Sequence, residues 1–272
     1  MKVVVTGATG FLGRRVVERL RARGCEVTAL GRGDGDLADP DGAARALLPW
    51  RWDAVVNLAA PVTGGTEDLA TGIAAARAHA RIALAIREHA RGRIVHASSM
   101  TVYGMPHTVP VREDHPRNPM HLYGLGKLLA EDVLDGTAVV LRFGGLFAGD
   151  RCGGALYHFC RAAHRGLPLD VTAAVPTPWE ILHADDAADG IARAVTRVDV
   201  LPGAMNLGYG EPIELVAIAR RIVTLAGTGS HVNSAVEHPP FQLDANRART
   251  HLDWAPPSLG ERLAELYAAF AA

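Results

Sequence analysis

Met1-Lys2-Val3-Val4-Val5-Thr6-Gly7-Ala8-Thr9-Gly10-Phe11-Leu12-Gly13 opens the chain, and its reading decides the fold. A β-branched run, Val3 to Val5, stops at a glycine-rich turn, and a helical pattern follows at once. Leu12, Val16, Val17 and Leu20 recur at the spacing that lines one helix face, and Gly24 supplies a stop. Strand, glycine turn and helix N-terminus together make a phosphate site. Gly7 allows the tight turn, Gly10 lets backbone N–H groups approach a pyrophosphate, and Gly13 lets the helix pack closely on the strand. The competing reading is an ordinary strand–turn–helix without a ligand.

The bulk properties narrow the class. At 272 residues the chain holds one large domain or one and a half, with ample core. A formal charge of -1 gives no sign of a nucleic-acid or membrane-surface binder. No apolar run reaches the roughly 18 residues of a membrane helix, and a strand from residue 2 leaves no room for a signal peptide. Cys25, Cys152 and Cys160 lack metal-type spacing and read as reduced packing thiols in a cytoplasmic protein; no metal site is expected.

Strand and helix patterns alternate through the first half, which argues for a parallel sheet covered on both faces. Glu26 to Leu30, Asp53 to Ala60, Arg93 to Ser99 and Ala138 to Arg142 read as strands. Asp41 to Leu48, Leu69 to Ala90 and Tyr123 to Leu134 read as helices, with loops at Gly31 to Gly35 and Gly64-Gly65. After Phe143 the segments loosen around Gly144, Gly145, Gly149, Gly153 and Gly154. Glu180 to His183 returns as a strand, with Asp185 or Asp186 capping the next helix. Met205 to Leu207 is a short strand, Pro212 suits the first residue of a helix, and Leu259 to Phe270 is a final amphipathic helix. The expected fold is α/β, a Rossmann-type doubly wound parallel sheet with a small discontinuous C-terminal substrate lobe. Residues 1–143, rejoined by 177–197, form the dinucleotide-binding domain; 144–176 and 198–272 form the lobe.

A second constellation carries chemistry. Tyr123-Gly124-Leu125-Gly126-Lys127 puts a phenol and an ammonium on one helix face. An ammonium beside a phenol favours the phenolate, lowering a pKa of about 10 and fitting the tyrosine to exchange a proton with a secondary alcohol. Ser98-Ser99 ends a strand nearby, where a serine hydroxyl could hold the substrate oxygen. His183 has no second ligand at metal spacing. His107, His115 and His121 lie near the catalytic loop, and His121 is kept as an extra substrate contact.

Thr6-Gly7-x-x-Gly10-x-x-Gly13, Asn57-Leu58-Ala59-Ala60, Ser98-Ser99-x-x-Val102-Tyr103-Gly104 and Tyr123-x-x-x-Lys127 stand in this order and spacing. The chain thereby resembles the extended short-chain dehydrogenase/reductases, also called the NAD-dependent epimerase/dehydratases. His183-Ala184-Asp185-Asp186 and Leu252-Asp253-Trp254-Ala255-Pro256 extend the likeness over nearly the whole length. The resemblance implies Tyr123 as acid/base, Lys127 as its tuner and a ribose-hydroxyl binder, and Ser99 as the hydroxyl on the carbonyl, with Thr101 the fallback. Ser98 reads as a structural strand-end hydroxyl. The cofactor would lie on Gly7, Thr9, Gly10, Phe11, Leu12 and Gly13, with Asp36-Leu37 at the adenine and Ala59 and Ala60 small beneath it; alternatively Asp36 caps a turn. A homodimer is expected by analogy, with Leu128, Leu129 and Val133 either supplying apolar surface or packing on the sheet.

The departures steer the specifics. Where NAD enzymes of this fold place an acid after the second strand, this chain has Gly31-Arg32, which leans towards NADP over NAD. Gly144-Gly145 replaces an asparagine, and Trp179 stands where nucleotide-sugar enzymes often carry a phosphate-clamping arginine. Such a wall suits a less charged, sugar-like substrate, unless Trp179 is simple core. Ser99-Met100-Thr101 lacks the dehydratase Asp-Glu pair. The expectation is a ketoreductase or dehydrogenase acting at a secondary alcohol or ketone carbon. The alternatives are an epimerase with tightly held cofactor and a non-catalytic cofactor sensor.

Overall fold

The computed structural model of the chain describes residues 1–49, 51–61, 68–171, 179–234 and 241–271. The loop expected at Gly64-Gly65 lies outside them. In chain order the elements are β1 (Lys2–Thr6), α1 (Phe11–Ala22), β2 (Glu26–Leu30), α2 (Pro40–Leu47), β3 (Ala54–Asn57), α3 (Leu69–His89), β4 (Arg93–Ala97), α4 (Leu122–Val133) and β5 (Ala138–Phe143). There follow β6 (Gly145–Phe147), α5 (Ala155–His164), β7 (Leu169–Val171), β8 (Ile181–His183), α6 (Ala184–Thr196), β9 (Gly203–Leu207), α7 (Leu215–Ala226), β10 (Val232–Ser234), α8 (Asn246–Leu252) and α9 (Leu259–Ala271).

Six strands form one parallel sheet in the order β2-β1-β3-β4-β5-β9. Alternation along β1 sorts the two faces. Val3 and Val5 join Val16, Val17 and Leu20 of α1 and the alanine-rich side of α6 in one core. Val4 joins Ala43 and Ala46 of α2, Ile82 and Ile86 of α3 and Ala130 of α4 in the other. The strands are apolar almost throughout because both faces are covered. Their carboxyl ends, Thr6, Asn57 and Ala97, therefore converge on one edge beside the α1 and α4 N-termini. α5, α7 and α9 pack together as a lobe whose apolar residues continue the first core.

Five expectations change. β9 pairs with β5 from Val139↔Gly203 to Phe143↔Leu207, so residues 203–207 belong to the main sheet and not to the lobe that was to begin at 198. α7 starts at Leu215, not Pro212, because Ile213 and Phe241 exchange backbone hydrogen bonds and hold that stretch extended. The cap of α6 is His183, whose Nδ1 accepts from the Asp185 N–H at 3.3 Å. α3, at 21 residues with a mean hydropathy of 1.2 in its most apolar window, is long and apolar enough to cross a membrane by composition; here Ala76, Ile82, Ala83 and Ile86 are buried within the fold. Cys25 and Cys160 are buried as packing thiols, whereas Cys152 is exposed.

Candidate active site

Steric demand shapes the first wall of the site. Gly7 has φ +66°, and a Cβ there would lie 2.8 Å from the Leu58 carbonyl. A Cβ at Gly13 would run into the Gly7 carbonyl and come within 2.7 Å of Ala8 Cα. Gly10 is exposed, its N–H tied to the Gly7 carbonyl at 3.1 Å. The α1 N-terminus has no side-chain cap and no acid in its first turn, whereas Asp39 and Asp68 cap α2 and α3. Its N–H groups and positive dipole end stay available for an anion, so the cradle fits a dinucleotide pyrophosphate. Phe11 is half-buried with the guanidinium of Arg15 4.4 Å and that of Arg151 5.3 Å from its ring centre; Leu12 packs inward, and Thr9 is exposed beside Gly31.

At the far end, Arg32 opens a single 3-10 turn, Arg32–Asp34, in place of the expected irregular loop. The Asp34 carboxylate accepts from the Gly31 N–H at 2.7 Å and is spent on its own turn. Arg32 is exposed and without an ion-pair partner among the described residues. Asp36 accepts from the Ala38 N–H at 2.9 Å, the turn role, and Leu37 is buried in the second core. Ala59 and Ala60 are half-buried past β3, the Ala59 N–H donating to Thr6 Oγ1 at 3.3 Å.

Two glycines of α4 position its phenol and ammonium. A Cβ at Gly124 would sit 2.7 Å from the Thr101 carbonyl, and one at Gly126 2.6 Å from the His79 ring and 2.9 Å from Ala76 Cα. Their absence lets α4 close on the Ser99–Thr101 turn and on α3. Tyr123 is half-buried in the first turn; Lys127, one turn later, is buried. Lys127 Nζ donates to the Ala97 carbonyl at 2.8 Å and lies 5.8 Å from the Tyr123 ring centre. Burial pushes Tyr123 up to about 12 and Lys127 down to about 8, with Glu131 opposing the latter. The expected lowering of the phenol is thus absent: the ammonium points at a backbone carbonyl, and desolvation dominates.

The two serines part company. Ser99 Oγ accepts from the Thr101 N–H at 3.2 Å and from Thr101 Oγ1 at 3.0 Å, which leaves its own proton free to donate. Ser98 Oγ donates inward to Glu131. Glu131 also takes Arg142 in a forked pair, Nη2 to Oε2 at 2.6 Å and Nε to Oε1 at 3.0 Å, and Arg117 at 3.3 Å. Arg142 continues to Tyr103 Oη at 2.9 Å, which donates to Asn206 at 2.7 Å. Sequence reasoning missed this network; its signal was Glu131 at i+4 from Lys127, with an arginine on the next strand. It also missed His96, whose Nδ1 meets Asn57 Nδ2 at 3.1 Å, and His79.

Trp179 is half-buried against the first core, and His121 is exposed at the α4 N-cap without a capping bond. His115 Nε2 accepts from the His107 N–H at 3.1 Å. Leu128 packs against the Tyr103 cluster and Val133 on the second core, leaving Leu129 exposed. No group of three or more metal-type ligands occurs among the described residues.

With this geometry in view, the relatives are informative. The chain is similar to a probable dTDP-4,6-dihydroxy-2-methyloxan-3-one 4-ketoreductase of Streptomyces antibioticus, 36% identical over 54% of this chain and 52% of that one, about half of each. It is similar nearly end to end to the dTDP-6-deoxy-L-talose 4-dehydrogenase (NAD(P)(+)) of Kitasatospora kifunensis, 27% identical over 98% of this chain and 95% of that one. The solved UDP-glucose 4-epimerase of Thermus thermophilus, in complex with NAD, matches with a TM-score of 0.82 at 25% identity over 99% of both chains. The model of the NAD dependent epimerase/dehydratase family matches residues 3–208. The chain belongs to the NAD dependent epimerase/dehydratase family and is an NAD(P)-dependent enzyme of the extended short-chain dehydrogenase/reductase type.

Proposed function

We propose that the protein is an NADPH-using ketoreductase that converts a ketone on a sugar-like substrate to the secondary alcohol. The bound nicotinamide supplies the hydride to the carbonyl carbon. Ser99 donates its free hydroxyl proton as a hydrogen bond to the carbonyl oxygen, held in place by the Thr101 hydroxyl that donates to Ser99 Oγ. Tyr123 transfers its phenolic proton to that oxygen, and Lys127, held on the Ala97 carbonyl 5.8 Å from the phenol ring centre, binds the ribose hydroxyls of the cofactor. Thr9, Phe11 and Leu12 border the pyrophosphate, Ala59 and Ala60 leave room beneath the cofactor, and Asp36-Leu37 border the adenine. Trp179 faces the substrate as an uncharged wall.

The observation that carries this reading is the state of the acids near the phenol. Elimination of water needs a second carboxyl acid/base, and Glu131, one turn beyond Lys127, is locked by Ser98, Arg117 and Arg142. Unpaired Arg32 favours the extra phosphate of NADP. Full-length likeness to a UDP-glucose 4-epimerase supports a second reading, an epimerase that retains its cofactor. Exposed Leu69, Ile73, Leu125 and Leu129 on α3 and α4 support association of two copies.

Purification without added cofactor, followed by separate NADP and NAD titrations, tests the assignment. Exchangeable binding that favours NADPH, lost on Arg32→Ser, is expected, with oxidation of NADPH on a panel of dTDP-linked and unlinked keto sugars. Tightly retained NAD with no preference for NADP supports the epimerase instead.

A further inference from the structure

Among the described residues, four buried side-chain nitrogen or oxygen atoms lack a hydrogen-bond partner. Two of them, His79 Nε2 and His96 Nε2, lie around Lys127, whose charge acts on both rings. A buried polar atom left without a partner is costly and calls for an explanation. His79 is buried on α3, where a leucine or phenylalanine would fill the space at no such cost. Its ring stands edge-on to Tyr123, centroids 5.6 Å apart and planes at 78°. The missing Cβ of Gly126 makes this approach possible, and Leu122, beside Tyr123, fits the matching notch at Gly72. The phenol is thus bracketed by the imidazole edge and by the ammonium 5.8 Å from its ring centre.

We propose that His79 is a positioning residue for the Tyr123–Lys127 pair, its neutral imidazole bracing the phenol from α3 and closing the chamber that holds the ammonium. The inference rests on the reading of Tyr123 as the proton-transfer residue. Burial, and then the Lys127 charge, push His79 down to about 3, so the brace adds no positive charge beside the ammonium. The groups facing Lys127 are His79 from α3, His96 from β4, and Tyr123 and Glu131 from α4, the last neutralised by Arg142.

Composition makes the test clean, because Lys2 and Lys127 are the only lysines among the 272 residues. Protein labelled with 13C at lysine Cε gives two side-chain signals, one from exposed Lys2 as an internal reference and one from Lys127, expected to titrate at about 8. His79→Ala admits water, and the Lys127 midpoint is expected to rise by about one pH unit while the Tyr123 ring signals broaden. His79→Phe keeps a ring edge in place and returns both to wild-type values. Ile82→Ala, an equally buried truncation on the same helix in the second core, leaves both unmoved. Unchanged signals in folded His79→Ala, or an equal shift in Ile82→Ala, overturn the proposal. If the alanine variant does not fold, His79→Leu, which fills the space without a ring edge, is read by the Tyr123 ring signals alone: broadening supports the brace and unchanged signals overturn it. An active Tyr123→Phe would overturn the proton-transfer reading, whatever the Lys127 midpoint does.

Discussion

Two buried polar clusters flank α4, and they are built on opposite terms. On one side, both Glu131 oxygens are occupied by Ser98, Arg142 and Arg117, and Arg142 passes the chain on to Tyr103 and Asn206. On the other, Lys127 holds a single carbonyl, and His79 and His96 each keep an unpartnered nitrogen. A cluster with every valence filled has nothing left to offer a ligand; it fixes the angle at which α4 leaves the sheet. The cluster with spare valences is the one that faces Tyr123. Saturation marks the frame and its absence marks the working parts, although both sit under one helix.

Substitutions on the two sides should separate rate from stability. The largest effect is expected from Tyr123→Phe, which should cut turnover by roughly 10²- to 10⁴-fold or more while the affinity for the nicotinamide cofactor changes little. Steady-state rates beside a fluorescence titration check this. Glu131→Ala strands the buried Arg142 and should cost about 3 to 5 kcal/mol of unfolding free energy by denaturant melt. Replacing both partners with Leu and Met should recover most of that loss; if it does not, the frame depends on charge and not on fit. Ser98→Ala removes one donor of several and should cost about 1.5 kcal/mol.

The most pH-dependent effect concerns Glu180, buried in a third place with Oε1 unpartnered and Oε2 accepting from the Leu243 N–H at 3.2 Å. Burial raises its carboxyl from 4.5 to about 8. The folded chain then holds a proton that the unfolded chain releases above 4.5. This contribution to stability is complete below pH 4.5 and is lost as pH rises through about 8. Glu180→Gln should flatten that decline, so melting temperatures of variant and wild type should diverge from pH 5 to pH 9.

The glycine turn, the strands through β5 and the Tyr-Lys helix were legible because each is announced locally, by a β-branched run, a glycine or a helical spacing. The sequence places β9 in the lobe because Gly203-Ala204 carries little strand signal, whereas its place in the sheet comes from pairing with Val139 and Val140 across the chain. The α7 start differs for a similar reason: proline propensity at 212 yields to the Ile213–Phe241 bridge. In the site, residue types were legible and electrostatics were not. Whether Lys127 acts on its tyrosine depends on where Nζ points, and spacing along a helix says nothing of the Ala97 carbonyl. His79 sits in an alanine-rich stretch that looks like a plain helix until α3 is laid against α4.

The lysine count has a practical consequence. Lys2 is exposed at the start of β1, at the amino end of the sheet, and Lys127 is buried near the carboxyl end. Amine-directed coupling to a surface through Lys2 would hold the molecule by the face opposite its cofactor cradle. The tethered layer would share one orientation, mouths outward, with the internal amine out of the reagent's reach.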